Sequence, residues 1–167
     1  SCVRSYPDFP QPGIIFRDIF SVMQQPTVFA DLMDVLIDYV KAKHKDIDAI
    51  IGLDSRGFLF GPIICLQLGI PFVPVRKKGK LPGDLMSTTY QLEYGSDVFE
   101  VQKDSFKPGD KIVIIDDLLA TGGTMSASVD LVKKNGGVVE ECICIIEIDD
   151  LKGRNKLKVP FKSFIQF

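Results

Sequence analysis

Two adjacent carboxylates, Asp116 and Asp117, stand just ahead of the turn Thr121-Gly122-Gly123-Thr124 in the string KIVIIDDLLATGGT, residues 111–124. The two glycines allow a backbone to wrap closely around an anion. A helix opening at that turn presents free N–H groups and the positive end of its dipole. The hydroxyls of Thr121 and Thr124 add donors. The carboxylates would repel an anion seated directly on them, so they suit hydroxyls or a metal ion beside it. A ligand with a diol and a phosphate a few ångströms apart, such as a sugar phosphate, satisfies both halves. An acidic strand end followed by a Gly-rich turn is the plain reading of each half alone; the combination is more specific. The GxxxxGK[ST] signature, and GxGxxG after a strand, are both absent.

Other reactive residues are sparse. The chain of 167 residues has one histidine, His44, in the charged run KAKHKD at 41–46. That excludes a His-rich metal site and reads as a solvated helix end whose cations suit the dipole. The four cysteines, Cys2, Cys65, Cys142 and Cys144, form no CxxC pair. They read as buried reduced thiols, with Cys142 and Cys144 on one face of a strand, and so suit a reducing compartment. Arg56 follows a strand-like run, where its fork suits bidentate oxygen contacts. The cluster Arg76, Lys77, Lys78, Lys80 is either a solvated strand end or a clamp for an anionic ligand.

These residues need elements to hold them. Residues 1–20 read as irregular and proline-rich. A helix opens at Pro26-Thr27 with Phe29, Leu32, Met33, Leu36, Ile37 and Val40 on one face. Strand-like runs at 47–53, 72–75, 111–115 and 138–147 then alternate with helical stretches at 58–68 and 124–134. The first of these helices is closed by Gly69 and the second by Asn135-Gly136-Gly137. Pro62 fits only near a helix start or a kink. The continuous apolar run 111–115 marks a strand buried on both faces. This alternation predicts an α/β fold with a central parallel sheet flanked by helices. Ligands of such sheets bind beyond the carboxyl ends of the strands. Residues 80–103 break the rhythm: 88–93 and 98–102 flank Tyr94-Gly95-Ser96 as a hairpin, either a lid or a surface flap.

Length and charge narrow the function classes. A chain of 167 residues makes one ordinary domain, or a small domain with an appendage. Hydrophobic residues at 46% can bury a core. A net charge of −2 argues against binding nucleic acid through phosphates. No apolar run is long enough to span a bilayer, and residues 1–10 lack the apolar core of a signal peptide.

The string at 111–124 resembles the phosphoribosyl pyrophosphate (PRPP) motif of the type I phosphoribosyltransferase family. Three further stretches carry the likeness over nearly the whole chain: FPQPGIIFRD at 9–18, GLDSRGF at 52–58, and RKKGKLPG at 76–83 leading to LEYG at 92–95. The resemblance implies one domain over 1–167 with a five-stranded parallel core, a hood at about 1–20 and a flexible lid at about 77–103. It implies ribose hydroxyls on Asp116 and Asp117, and the 5-phosphate on Ala120, Thr121, Gly122, Gly123 and Thr124. Pyrophosphate would lie on Asp54, Ser55, Arg56, Arg76, Lys77 and Lys80, with a strained, often cis, Asp54–Ser55 peptide. Family members that use 6-oxopurines usually carry Asp where Ala120 stands, so the base implied is adenine. The backbone of Ile15 and Arg17 would pair with the purine edge, with Phe16 and Leu118 stacked on its two faces. Glu93 would lie near N7 to take or give a proton, and Tyr94 would cover the site.

The activity implied is Mg²⁺-dependent transfer of 5-phosphoribosyl from PRPP to adenine, giving AMP and pyrophosphate, by a cytoplasmic homodimer in purine salvage. Mg²⁺ would ride mainly on substrate oxygens and water, with no protein ligand. Residue types alone would make Phe16 an ordinary core aromatic and Glu93 a solvated hairpin residue. The rivals are a hypoxanthine or xanthine phosphoribosyltransferase and a non-catalytic PRPP-sensing regulator. Nucleic-acid-binding relatives would carry a basic face or an added domain, and PRPP synthetase would need a longer chain.

Overall fold

The computed structural model of the chain describes residues 2–91 and 96–167. Its contacts divide it into two compact units, Ser1–Lys43 and His44–Phe167.

In the first unit, β1 (Arg4–Pro7) runs antiparallel to β2 (Ile15–Asp18), with Tyr6 opposite Phe16 and Pro7 opposite Ile15. The expectation of an irregular segment is therefore corrected at 4–7 and 15–18. Proline removes a ladder donor and is confined to strand ends, edges and turns. Here Pro7 ends β1, and Pro10 and Pro12 fall in the connection. The proline-rich text hides strands of four residues, too short to display alternation. The Gly13 N–H donates to Asp8 Oδ1 at 2.7 Å inside that turn. Helix α1 (Phe20–Met23) is one turn, and α2 (Pro26–Lys43) opens on a proline, where no N–H is missed. Met33, Leu36, Ile37 and Val40 are buried on one face of α2, as their spacing predicts, and Lys41 and Lys43 sit in its last turn.

The second unit holds a seven-stranded sheet in the order β5-β6-β4-β3-β7-β8-β9. The strands are β3 (Ala49–Leu53), β4 (Phe72–Lys77), β5 (Leu85–Gln91), β6 (Ser96–Gln102), β7 (Lys111–Leu119), β8 (Val138–Glu147) and β9 (Phe161–Gln166). Pairings β4–β3, β3–β7, β7–β8 and β8–β9 are parallel, which gives the expected five parallel strands. The hairpin β5–β6 adds two antiparallel strands through Arg76↔Glu100 and Lys77↔Phe99. Its two strands thus extend the sheet, and Phe99 and Val101 enter the core.

Core positions alternate along the strands, since successive side chains point to opposite faces. Ala49, Ile51, Leu53, Ile112, Ile114, Cys142 and Cys144 form one cluster with Met125, Leu131 and Val132 of α4 (Gly123–Lys134). Helix α3 (Gly61–Leu68) follows a 3-10 turn, Arg56–Leu59, carries Pro62 in its first turn, and ends at Gly69 with φ +69°. Its Gly61 packs so close to Phe72 that an added Cβ would lie 2.5 Å from the ring.

Two expectations on reactive side chains are corrected. His44 is not solvated: its side chain is 6% exposed, and Nε2 lies 2.8 Å from Glu141 Oε2 on β8. The partner is 97 positions away in sequence, so the charged run around His44 gave no sign of it. Cys2 is exposed, whereas Cys65, Cys142 and Cys144 are buried, and all four are free. Burial pushes the Cys65 thiol up to about 11 and Cys142 up to about 12, so both stay protonated.

Candidate active site

Strand β7 runs on through Leu119, four residues beyond the apolar run that suggested it. Asp116 and Asp117 are therefore strand residues with fixed positions, not the start of a loop. Parallel neighbours on both sides hold this stretch: Ile115 pairs with Gly52 of β3, and Asp116 with Cys144 of β8.

Two chain turns meet there. One is Asp54-Ser55-Arg56, leaving β3 through the Asp54–Ser55 peptide, which is cis. The other is Ala120-Thr121-Gly122, leaving β7 for α4. Gly57 allows the first turn to lie against β7: a Cβ there would stand 2.5 Å from the Ile115 carbonyl oxygen. Gly122 is the N-cap of α4 with φ +78°, a backbone conformation side chains rarely tolerate. Its carbonyl accepts the Ser126 N–H at 2.9 Å. The space around Gly123 is open, with nothing within 4 Å of an added Cβ. A helix N-terminus thus faces an open cradle, the arrangement that binds anions.

The two turns line one cavity of about 420 Å³, formed by Asp54, Ser55, Arg56, residues 116–124 and Met125. Asp117 is 2% exposed. Its Oδ2 lies 3.0 Å from Arg56 Nε, an ion-pair contact off the donor axis, and accepts no hydrogen bond. The Asp117 N–H donates to Asp116 Oδ1 at 2.9 Å. Burial pushes the Asp116 carboxyl well above the ordinary carboxylate range, and the charge of Asp117 adds to it. Burial also raises Asp117, against the pull of the Arg56 guanidinium. A buried carboxylate oxygen without a donor is an acceptor awaiting one, and ligand hydroxyls would supply it.

The cavity brings together Asp54, Ser55, Arg56, Asp116, Asp117, Leu118, Ala120, Thr121, Gly122, Gly123 and Thr124. Arg76 is not among the lining residues but bonds to one of them: Nε donates to Asp54 Oδ2 at 2.9 Å, and Nη1 to the Lys80 carbonyl at 3.1 Å. Lys77 is 60% exposed and pairs with Asp97 at 2.7 Å on the hairpin. Ile15, Phe16 and Arg17 all lie on β2 of the first unit. Phe16 packs edge-on against Phe9 at 5.2 Å, and Arg17 Nη1 donates to Ser5 Oγ at 2.6 Å. Glu93 and Tyr94 lie outside the described residues. Among the described residues no group of three or more His, Cys, Asp or Glu could hold a metal ion. No helix among them is long and apolar enough to cross a membrane.

Nothing in the residue pattern pointed to Gly153, whose backbone lies against Ala120 and Gly122, or to Arg154 beside it. Their stretch, 148–157, is polar and aperiodic, and only an isolated glycine marked it.

The phosphoribosyl transferase domain family matches residues 21–165, and the chain belongs to that family. Within it, the chain is 49% identical to the adenine phosphoribosyltransferase of Homo sapiens over 167 residues, covering 99% of this chain and 93% of the relative. It is 47% identical to the Drosophila pseudoobscura pseudoobscura adenine phosphoribosyltransferase, covering 100% and 92%. Among solved structures, the Saccharomyces cerevisiae adenine phosphoribosyltransferase, complexed with an imino-altritol bisphosphate and adenine, superposes with a TM-score of 0.94 at 43% identity. That match covers 98% of this chain and 94% of the other. The Trypanosoma brucei enzyme, in complex with AMP, pyrophosphate and ribose-5-phosphate, gives 0.90 at 32% identity, covering 99% and 76%.

Proposed function

We propose that this protein transfers the 5-phosphoribosyl group of PRPP to adenine, releasing AMP and pyrophosphate, and so serves purine salvage. The observation that carries this is the single cavity in which the Asp54–Arg56 turn faces Asp116, Asp117 and the Thr121–Thr124 cradle. A substrate with phosphates at both ends of a ribose needs two anion sites with hydroxyl acceptors between them. The likeness to adenine phosphoribosyltransferases over the full chain supports adenine as the acceptor base.

In this mechanism the N–H groups and hydroxyls of residues 120–124 hold the 5-phosphate. Asp116 and Asp117 accept the ribose hydroxyls, which fixes C1 between its leaving group and the incoming base. Pyrophosphate departs from C1 while N9 of adenine attacks the opposite face. Positive charge grows on the sugar and negative charge on the leaving group. Arg56 stands ready to stabilise the latter without reorganising, with Ser55 beside it and Arg76 held on Asp54. Lys77 and Lys80 add positive potential at the end of β4. Backbone groups of Ile15 and Arg17 read the adenine edge, and Phe16 and Leu118 sandwich the ring. Glu93 takes or returns the proton that N9 attack requires to move, and Tyr94 helps exclude water.

Mg²⁺ fits this site as an ion held by substrate oxygens and water, since hard cations of its size keep several waters. When bound it would neutralise charge on the pyrophosphate. The first unit acts as hood and β5–β6 as lid of one functional domain, in a cytoplasmic homodimer. Free buried thiols suit that reducing compartment.

The test is incubation with PRPP and Mg²⁺ and, separately, adenine, hypoxanthine and guanine, with nucleotides separated by chromatography. AMP should form and IMP and GMP should not. No AMP, or IMP formed faster than AMP, would overturn the proposal.

A further inference from the structure

Glu147, at the end of β8, is a buried carboxylate outside the cavity, 1% exposed. It accepts Arg154 Nε at 2.6 Å and Arg154 Nη2 at 2.5 Å, Ser163 Oγ at 2.6 Å and Gln166 Nε2 at 3.2 Å. The Arg154 guanidinium also lies 5.4 Å from the centre of the Phe161 ring. A planar fork held on two carboxylate oxygens and against a ring has little freedom left.

The residue before it, Gly153, touches the back of the cradle. A Cβ on Gly153 would stand 2.1 Å from the Ala120 carbonyl oxygen and 2.9 Å from the Gly122 nitrogen. A Cβ on Gly122 would stand 2.4 Å from the Gly153 oxygen. The two backbones are therefore in contact with no side chain between them. The Ile148 N–H, donating to the Leu119 carbonyl at 2.9 Å, ties the start of the same segment to the end of β7.

We infer that Gly153 and the Arg154–Glu147 pair form a buttress that holds residues 120–122 in their anion-binding shape, making Gly153 and Arg154 positioning residues for the 5-phosphate. This rests on the reading of residues 120–124 as the 5-phosphate cradle. Neither residue lines the cavity. A cradle made of backbone N–H groups cannot correct a misplaced peptide by rotating a side chain, so its shape must be fixed from outside. The buttress acts at one end of the substrate only, because the Asp54–Arg56 turn is built on β3 and β7.

The test is titration of the full chain with ribose 5-phosphate and, separately, with pyrophosphate, for the native protein and for Gly153→Ala, Arg154→Lys and Thr124→Ala. Gly153→Ala should weaken ribose 5-phosphate binding about tenfold and leave pyrophosphate binding within about twofold. Arg154→Lys keeps the charge but loses the fork, and should act in the same direction by about threefold. It also decides the matter if Gly153→Ala does not fold. Equal weakening of both ligands would mean general structural damage and would overturn the buttress. If Thr124→Ala weakens ribose 5-phosphate binding while the other two variants bind it normally, the buttress is wrong and the cradle stands. If Thr124→Ala also binds normally, the cradle reading fails and takes the buttress with it.

Discussion

At the end of β7 the chain presents backbone groups and two carboxylates set in a strand; at the end of β4 it presents long cationic side chains. The first region is fixed twice over, by parallel neighbours on both sides and by the glycine contact with Gly153. The second is exposed from Lys77 to Lys80, and two of its cations, Arg76 and Lys77, lean on Asp54 and Asp97. Preorganised donors lose little freedom when a ligand arrives, whereas exposed lysines must first be ordered. The contrast suits a substrate whose phosphoribosyl end is kept and whose pyrophosphate end must leave. On the proposed function, one region would grip and the other would attract and release.

The largest way to break this contrast is at the carboxylates. Asp116→Asn combined with Asp117→Asn should weaken PRPP binding about 1000-fold by calorimetry, since two charge-assisted hydrogen bonds are lost. Undisturbed binding would refute their role with the ribose hydroxyls. The raised pair also sets a pH direction. Only the ionised form is a full acceptor, so PRPP affinity should increase as pH rises and the pair gives up its proton. The folded pKa is raised, so the stability linked to the bound proton is lost with rising pH. Asp116→Asn should accordingly unfold at higher urea than the native protein at alkaline pH.

Next in size is the support behind the grip. Hydrogen bonds from Arg154 hold the Glu147 carboxyl down at about 2, from an ordinary 4.5. A depressed carboxylate stabilises the fold above its unfolded value, and that contribution is lost as pH falls from about 4.5 towards 2. Glu147→Gln should cost about 3 kcal/mol at neutral pH by urea unfolding, and much less near pH 3. An equal cost at both pH values would show that packing, not charge, makes the contribution.

Turnover comes third. Glu93→Gln should lower kcat about 100-fold with PRPP affinity unchanged. Unchanged turnover would remove Glu93 from proton transfer. The smallest effects belong to the exposed cations. Lys80→Ala should raise the KM for PRPP about fivefold, and less at high salt. Lys77→Ala, already paired with Asp97, should change it less than about twofold. If Lys77→Ala matters as much as Lys80→Ala, the Asp97 pair opens to release it.

What could be read in the sequence follows the same division. Strand β8 and helix α4 were legible nearly to the residue, because strands buried on both faces read as continuous apolar runs and a glycine turn marks the helix start. The cavity residues were legible because their chemistry lies in consecutive positions. Strand β9 escaped notice: it lies at the sheet edge with Lys162 and Gln166 among its apolar residues, behind the aperiodic 148–160. The His44–Glu141 and Arg154–Glu147 contacts escaped it too. Each joins a charged residue in a polar stretch to a partner inside an apolar strand, and neither half of such a pair announces the other.

A crystal structure of the protein with AMP tests the central claim most directly. The AMP phosphate should lie within hydrogen-bond reach of the N–H groups of residues 121–124, with both ribose hydroxyls on Asp116 and Asp117. A phosphate bound instead at Arg56 or along the end of β4, with Asp117 Oδ2 still lacking a donor, would contradict it.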